Sequence, residues 1–85
     1  MEMSEEVMEA FINTTVEAKM GQYKVVAKIR DFEDGKFQCQ IFWGAGYFRD
    51  RRIVHILPSQ ITHNLGQLDI VDHKQFLEIF PEYSV

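Results

Sequence analysis

Three arginines in four residues, Arg49, Arg51 and Arg52, follow directly on Tyr47 and Phe48. Guanidinium forks match phosphate oxygens and also stack on bases or aromatic rings, so this cluster suits a phosphate-bearing strand. Asp50 sits within it as a candidate salt-bridge partner, and the acidic N-terminal segment as another. Upstream, Lys24, Lys28 and Arg30 alternate with apolar residues, and Phe32 and Phe42 share their parity or flank them. The candidate nucleic-acid-binding set is therefore Lys24, Lys28, Arg30, Arg49, Arg51 and Arg52 for the backbone. Phe32, Phe42, Tyr47 and Phe48 are its stacking partners, each stack contributing about 1–3 kcal/mol.

Other chemistry is thin. Nucleophilic catalysis needs a Ser, Cys or Thr beside a base. Cys39, the one cysteine, falls on an apolar face and reads as inert packing. His63 and His73 have Asp69 and Asp72 nearby, but the spacing matches no zinc pattern, so neither a metal nor a cofactor is expected. His55, inside the run Ile53–Leu57, reads as a core or strand-edge residue. Gly44-Ala45-Gly46 lacks the Lys and Ser/Thr of a phosphate loop and reads as a connector. A chain of 85 residues leaves little room for a catalytic cleft, and a non-enzymatic role is expected.

The element that must position these residues is the stretch Tyr23–Trp43, read as a β-hairpin. Tyr23, Val25, Ala27 and Ile29 alternate on one face, as do Phe37, Cys39, Ile41 and Trp43. A two-residue Asp34-Gly35 turn would set odd positions opposite even ones. A three-residue turn, Glu33-Asp34-Gly35, brings the apolar sets together, with Phe32 facing Lys36, Ile29 facing Cys39, Ala27 facing Ile41 and Val25 facing Trp43. The opposite face then carries Lys24, Val26, Lys28, Arg30, Phe32, Gln38, Gln40 and Phe42. A solvated sheet face would have the same composition.

An N-terminal helix is expected within residues 1–21, capped by Ser4, with Glu5 and Glu6 in its first turn and Met8, Phe11, Ile12, Thr15 and Val16 as its apolar stripe. Further strands and loop fill residues 47–71. Within them, Ile53–Leu57 reads as a strand covered on both faces, Gln60–Gly66 as loop or one helical turn, and Gln67–Val71 as a short strand. A C-terminal helix spans 72–80, capped by Asp72 with Gln75, stapled by Val71 and Phe76, and stopped by Pro81. The fold class is α+β: one domain, residues 1–85, with a three- to four-stranded antiparallel sheet built on the hairpin and both terminal helices on one face.

Net charge is −4, yet it is unevenly spread. Residues 1–22 carry five Glu against Lys19, 23–52 carry seven cations against four carboxylates, and 53–85 carry four carboxylates against Lys74. Overall acidity argues against indiscriminate binding to polyanions, while the basic middle allows a local anion site. Glu2, Glu5, Glu6 and Glu9 could alternatively imitate nucleic-acid phosphates. No apolar run reaches membrane-spanning length, and a lone cysteine without a leader-like N-terminus points to a reducing, cytoplasmic setting. Two roles emerge: a module for RNA or single-stranded nucleic acid, or a small inhibitor or adaptor docking on a larger protein, with arginines and aromatics as its anchors. Self-association into a homo-oligomer through a strand edge is a further expectation.

Overall fold

The computed structural model describes residues 4–84. Five strands form one antiparallel sheet: β1 (Thr15–Met20), β2 (Tyr23–Glu33), β3 (Lys36–Gly44), β4 (Ile53–Ile56) and β5 (Ile61–Gly66). Their spatial order is β4-β3-β2-β1-β5. Helix α1 (Glu5–Ala10) precedes the sheet and α2 (His73–Ile79) follows it. The α+β class and the antiparallel sheet are as expected; the strand number is five rather than three or four.

The extra strands come from segments read otherwise. Ser4 does cap α1, accepting from the Val7 N–H at 3.3 Å. The helix ends at Ala10, far short of residue 21, and Asn13 then takes a left-handed φ of 70°. Thr14, Thr15 and Val16 resist helix through β-branching, and β1 begins there. Residues 1–3 of the expected helix, Glu2 among them, lie outside the described residues. A Gly21-Gln22 turn, with Gly21 at φ 66°, joins β1 to β2. β5 replaces the expected loop, pairing with β1 through irregular register. Residues 67–71 form no strand.

The β2–β3 hairpin turns on Asp34-Gly35, two residues with φ of 52° and 75°, not on three. Parity is restored within the ladder. Asp31 pairs with Gln38 and Ile29 with Cys39, leaving Arg30 as a bulge. Ile29 opposite Cys39 and Ala27 opposite Ile41 are therefore as expected. A second irregularity leaves Phe42 unpaired, so Val26 meets Trp43 and Val25 meets Gly44. Each bulge moves one aromatic residue. Phe32, paired with Phe37, joins the first core, and Trp43 crosses to the face of Val26.

Each sheet face has its own core. The first joins Val16, Ala18, Val25, Ala27, Ile29, Phe37, Cys39, Val54 and Ile56, covered by Met8 of α1. The second joins Val26, Phe42, Ile70 and Phe76, with Trp43, Phe80 and Tyr83 around them. Val25 and Val26 are consecutive, so the two cores lie on opposite faces. The helices consequently pack on opposite faces, not on one. The physical reason is that Val26 and Phe42 give the polar-looking face an apolar half, which Phe76 covers. Asp72 caps α2 as expected, accepting from the Gln75 N–H at 2.8 Å. Gln75 in return accepts from the Val71 N–H at 2.8 Å. Val71 itself is 57% exposed, so it does not staple onto Phe76. β4 is covered on one face only: Val54 and Ile56 are buried, while Ile53 and His55 are exposed.

Candidate nucleic-acid interface

The β3–β4 connection positions the arginines. Gly46 holds φ 55°, and a Cβ there would lie 2.1 Å from the Tyr23 ring. At Gly44 a Cβ would meet the Phe48 carbonyl oxygen at 2.5 Å. The connector reading holds from Ala45 on, while Gly44 ends β3 opposite Val25; each glycine has a specific cause, a close approach that only a hydrogen side chain permits. The segment winds through a 3-10 turn at Gly46–Phe48, and the Ile41 N–H closes it by donating to the Arg52 carbonyl at 2.8 Å.

Two adjoining hollows result. A cleft of about 780 Å³ is lined by Trp43, Arg49, Arg51, Arg52, His73 and Tyr83, among others. A shallower hollow of about 420 Å³ is lined by Arg30, Gln38, Gln40, Arg52 and Ile53. Arg52 lines both, so the two basic segments meet there. The Arg30 bulge presents its guanidinium to the Gln40 Oε1, which accepts from Nε at 3.1 Å and Nη2 at 2.7 Å. Gln40 is itself held, donating to the Val71 carbonyl at 3.2 Å. Among the described residues, no carboxylate lies within ion-pair distance of Arg30, Arg49, Arg51 or Arg52. Among the described residues, the loop does not adopt the salt-bridged alternative, either to Asp50 or to Glu5, Glu6 and Glu9 of α1.

The rest of the sequence-derived set is dispersed. Lys24 is paired with Glu17 at 2.9 Å and stands 5.7 Å over the Tyr83 ring. Lys28 donates to the Ile70 carbonyl at 3.4 Å, beneath the C-terminal segment. Phe42 is buried and stacks on Phe76, centroids 6.1 Å apart. Phe32 and Phe48 are half-buried against the first core, and Phe48 meets Tyr23 edge-on at 6.3 Å. Tyr47 is 60% exposed. The Arg51 guanidinium lies 4.4 Å from its ring centroid and donates to its hydroxyl at 2.5 Å. Arg30, Tyr47, Arg49, Arg51 and Arg52 thus share the open surface. Trp43, His73 and Tyr83, outside the sequence-derived binding set, line the cleft with the arginines. Only an allowance for the bulge at Phe42 would have released Trp43 from the first core.

The C-terminal wall of the cleft is anchored from below. The Trp43 Nε1–H donates to the Tyr83 carbonyl at 3.0 Å. The Tyr83 hydroxyl reaches Glu17 at 3.5 Å, and His63 Nδ1 lies 2.6 Å from the same carboxylate. Lys24 holds the buried Glu17 carboxyl below the usual range by hydrogen bond and charge, against the opposing effect of burial. Glu17 in turn raises Lys24. Burial, then the Glu17 charge, pushes the Tyr83 phenol up. His73 Nδ1 contacts the Phe42 carbonyl. Among the described residues, no three His, Cys, Asp or Glu side chains converge as a metal site would require. Burial pushes the Cys39 thiol up to about 12, out of reach of thiolate chemistry. No described helix is long and apolar enough to cross a membrane. Comparison with protein families, with curated proteins and with solved structures finds no match to this chain.

Proposed function

We propose that this chain is a non-enzymatic module that binds RNA or another single-stranded nucleic acid along the arginine-lined cleft. One observation carries the reading: Arg30 and Arg52, from separate segments, line one hollow, and Arg49 and Arg51 continue from it beside Asp50, with no carboxylate among the described residues within ion-pair distance of any of the four. Unpaired guanidinium groups in a shared groove cost electrostatic repulsion, which a phosphate backbone relieves. The Arg51 guanidinium over the exposed Tyr47 ring offers a base both a cation and an aromatic partner, and Trp43 and Tyr83 add aromatic walls. The binding groups are Arg30, Tyr47, Trp43, Arg49, Arg51 and Arg52; Lys24, Lys28 and Phe42 hold the scaffold. The buried, unpaired Cys39 fits a reducing, cytoplasmic setting.

Fluorescence anisotropy with a labelled single-stranded RNA tests this. Arg51→Glu with Arg52→Glu abolishes binding, and Lys24→Ala leaves it nearly unchanged. Equal loss in both variants, or in neither, rejects the cleft as the site. A second reading, an inhibitor or adaptor docking on a larger protein, draws on the exposed Arg51–Tyr47 pair, residue types that anchor interfaces. A stoichiometric protein partner retained from a nuclease-treated extract, and lost in the same double variant, would favour it.

A further inference from the structure

Among the described residues, the outer edge of β4 is unpaired, because β4 ends the sheet order. The Ile41 N–H donates to the Arg52 carbonyl, and Ile41 and Arg52 continue the β3–β4 register in which Cys39 meets Val54. Antiparallel ladders alternate, so Val54 and Ile56 turn their backbone groups toward β3. Ile53 and His55 then turn theirs outward. Both side chains are exposed on the open part of the second face, Ile53 at 68%. Leu57 cannot extend this edge, since its N–H is taken by the Gln60 side chain at 2.8 Å and Pro58 follows.

We propose that the occupant of this edge is a second copy of the chain, paired antiparallel about a twofold axis through Val54. That register sets Ile53 opposite the second copy's His55, and the reverse. Each outward N–H then meets an outward carbonyl, which no other symmetric register achieves without calling on Leu57 or on Arg51, whose N–H is taken by the Phe48 carbonyl at 3.2 Å. Charge favours the same orientation. The start of β4 is flanked by Arg49, Arg51 and Arg52, while its end lies beside Phe37, next to the hairpin tip with Asp31, Glu33, Asp34 and Lys36. Antiparallel pairing places the arginine end of each copy against the net acidic tip of the other. Parallel pairing would set arginines against arginines. The two Ile53 side chains become diagonal neighbours and cover each other. The axis stands perpendicular to the sheet, so both arginine clefts open on one side of the dimer.

Light scattering or sedimentation across a concentration series tests this with the full chain. The wild type is expected to reach twice the 10.0 kDa of the single chain as concentration rises. His55→Pro removes an outward N–H that no described residue of the chain accepts, a substitution an edge strand tolerates. Ile53→Lys places a charge at the seam without touching either core. Both weaken dimerisation by roughly tenfold or more, with unchanged far-UV circular dichroism. A wild type that stays monomeric throughout, or a dimer unaffected by both substitutions, overturns the proposal.

Discussion

Phe42 and Phe76 stack across the second sheet face with centroids 6.1 Å apart and rings inclined by 24°. This pair divides that face. On one side the C-terminal segment covers Val26, Phe42 and Lys28; on the other Arg30, Gln40 and Ile53 stay accessible. The division decides which aromatic residues are structural and which can meet a ligand.

Phe76→Ala should accordingly cost about 3–5 kcal/mol, the range for deleting a fully buried ring. Phe42→Leu should cost less and leave nucleic-acid affinity unchanged. Urea midpoints read the first effect and anisotropy the second. Lost RNA affinity in a fully folded Phe42→Leu would return that ring to the binding set.

Gly46→Ala should act on both stability and binding. The added methyl must displace the Tyr23 ring and also sits at positive φ, costing about 1–3 kcal/mol. Because Gly46 opens the turn that carries Arg49–Arg52, binding should weaken beyond the fraction unfolded. Gly35→Ala, also at positive φ but with open space around it, should destabilise without that binding effect.

The Glu17 cluster makes stability sensitive to acid. The Glu17 carboxyl is held below its ordinary value by Lys24. A depressed folded value means the stabilisation is full above the unfolded carboxylate range and is lost as pH falls through the folded one. Lys24, raised by Glu17, contributes below its ordinary range and loses that contribution as pH rises through the raised value. Glu17→Gln should cost about 1–3 kcal/mol at neutral pH and flatten the acid limb of the stability profile. Denaturant titrations of both proteins from neutral to acid pH check this. An unchanged acid limb in the variant would assign it to other carboxylates.

The hairpin and two of its pairings, Ile29–Cys39 and Ala27–Ile41, were legible because alternation over Val25–Ile29 and Phe37–Ile41 needs little tertiary help, whereas the expected Val25–Trp43 and Phe32–Lys36 pairings gave way to Val25–Gly44 and Phe32–Phe37. Its turn was not, because alternation alone demands three residues, while the ladder absorbs one at Arg30 instead. Residues 15–20 misled in another way. Met8, Phe11, Ile12, Thr15 and Val16 fit a helical stripe, while Val16, Ala18 and Met20 fit a strand equally well; only pairing with β2 separates the two. β5 carries few apolar residues and exists through its partner β1. At the candidate site, the arginine cluster could be read directly, since charge and spacing are local. The loss of Phe42 to Phe76 could not, because an amphipathic helix does not say which sheet face it covers.

In the proposed complex, Arg30, Arg49, Arg51 and Arg52 meet the phosphate charge together. The most direct measurement is the affinity for a single-stranded RNA as a function of salt, for the wild type and Arg30→Ala. Each phosphate neutralised on a single strand contributes about −0.7 to the slope of log K against log salt, so a slope of roughly −2 to −3 is predicted. Arg30→Ala should reduce its magnitude by about 0.7. A flat response, or an Arg30→Ala slope identical to that of the wild type, would contradict the account.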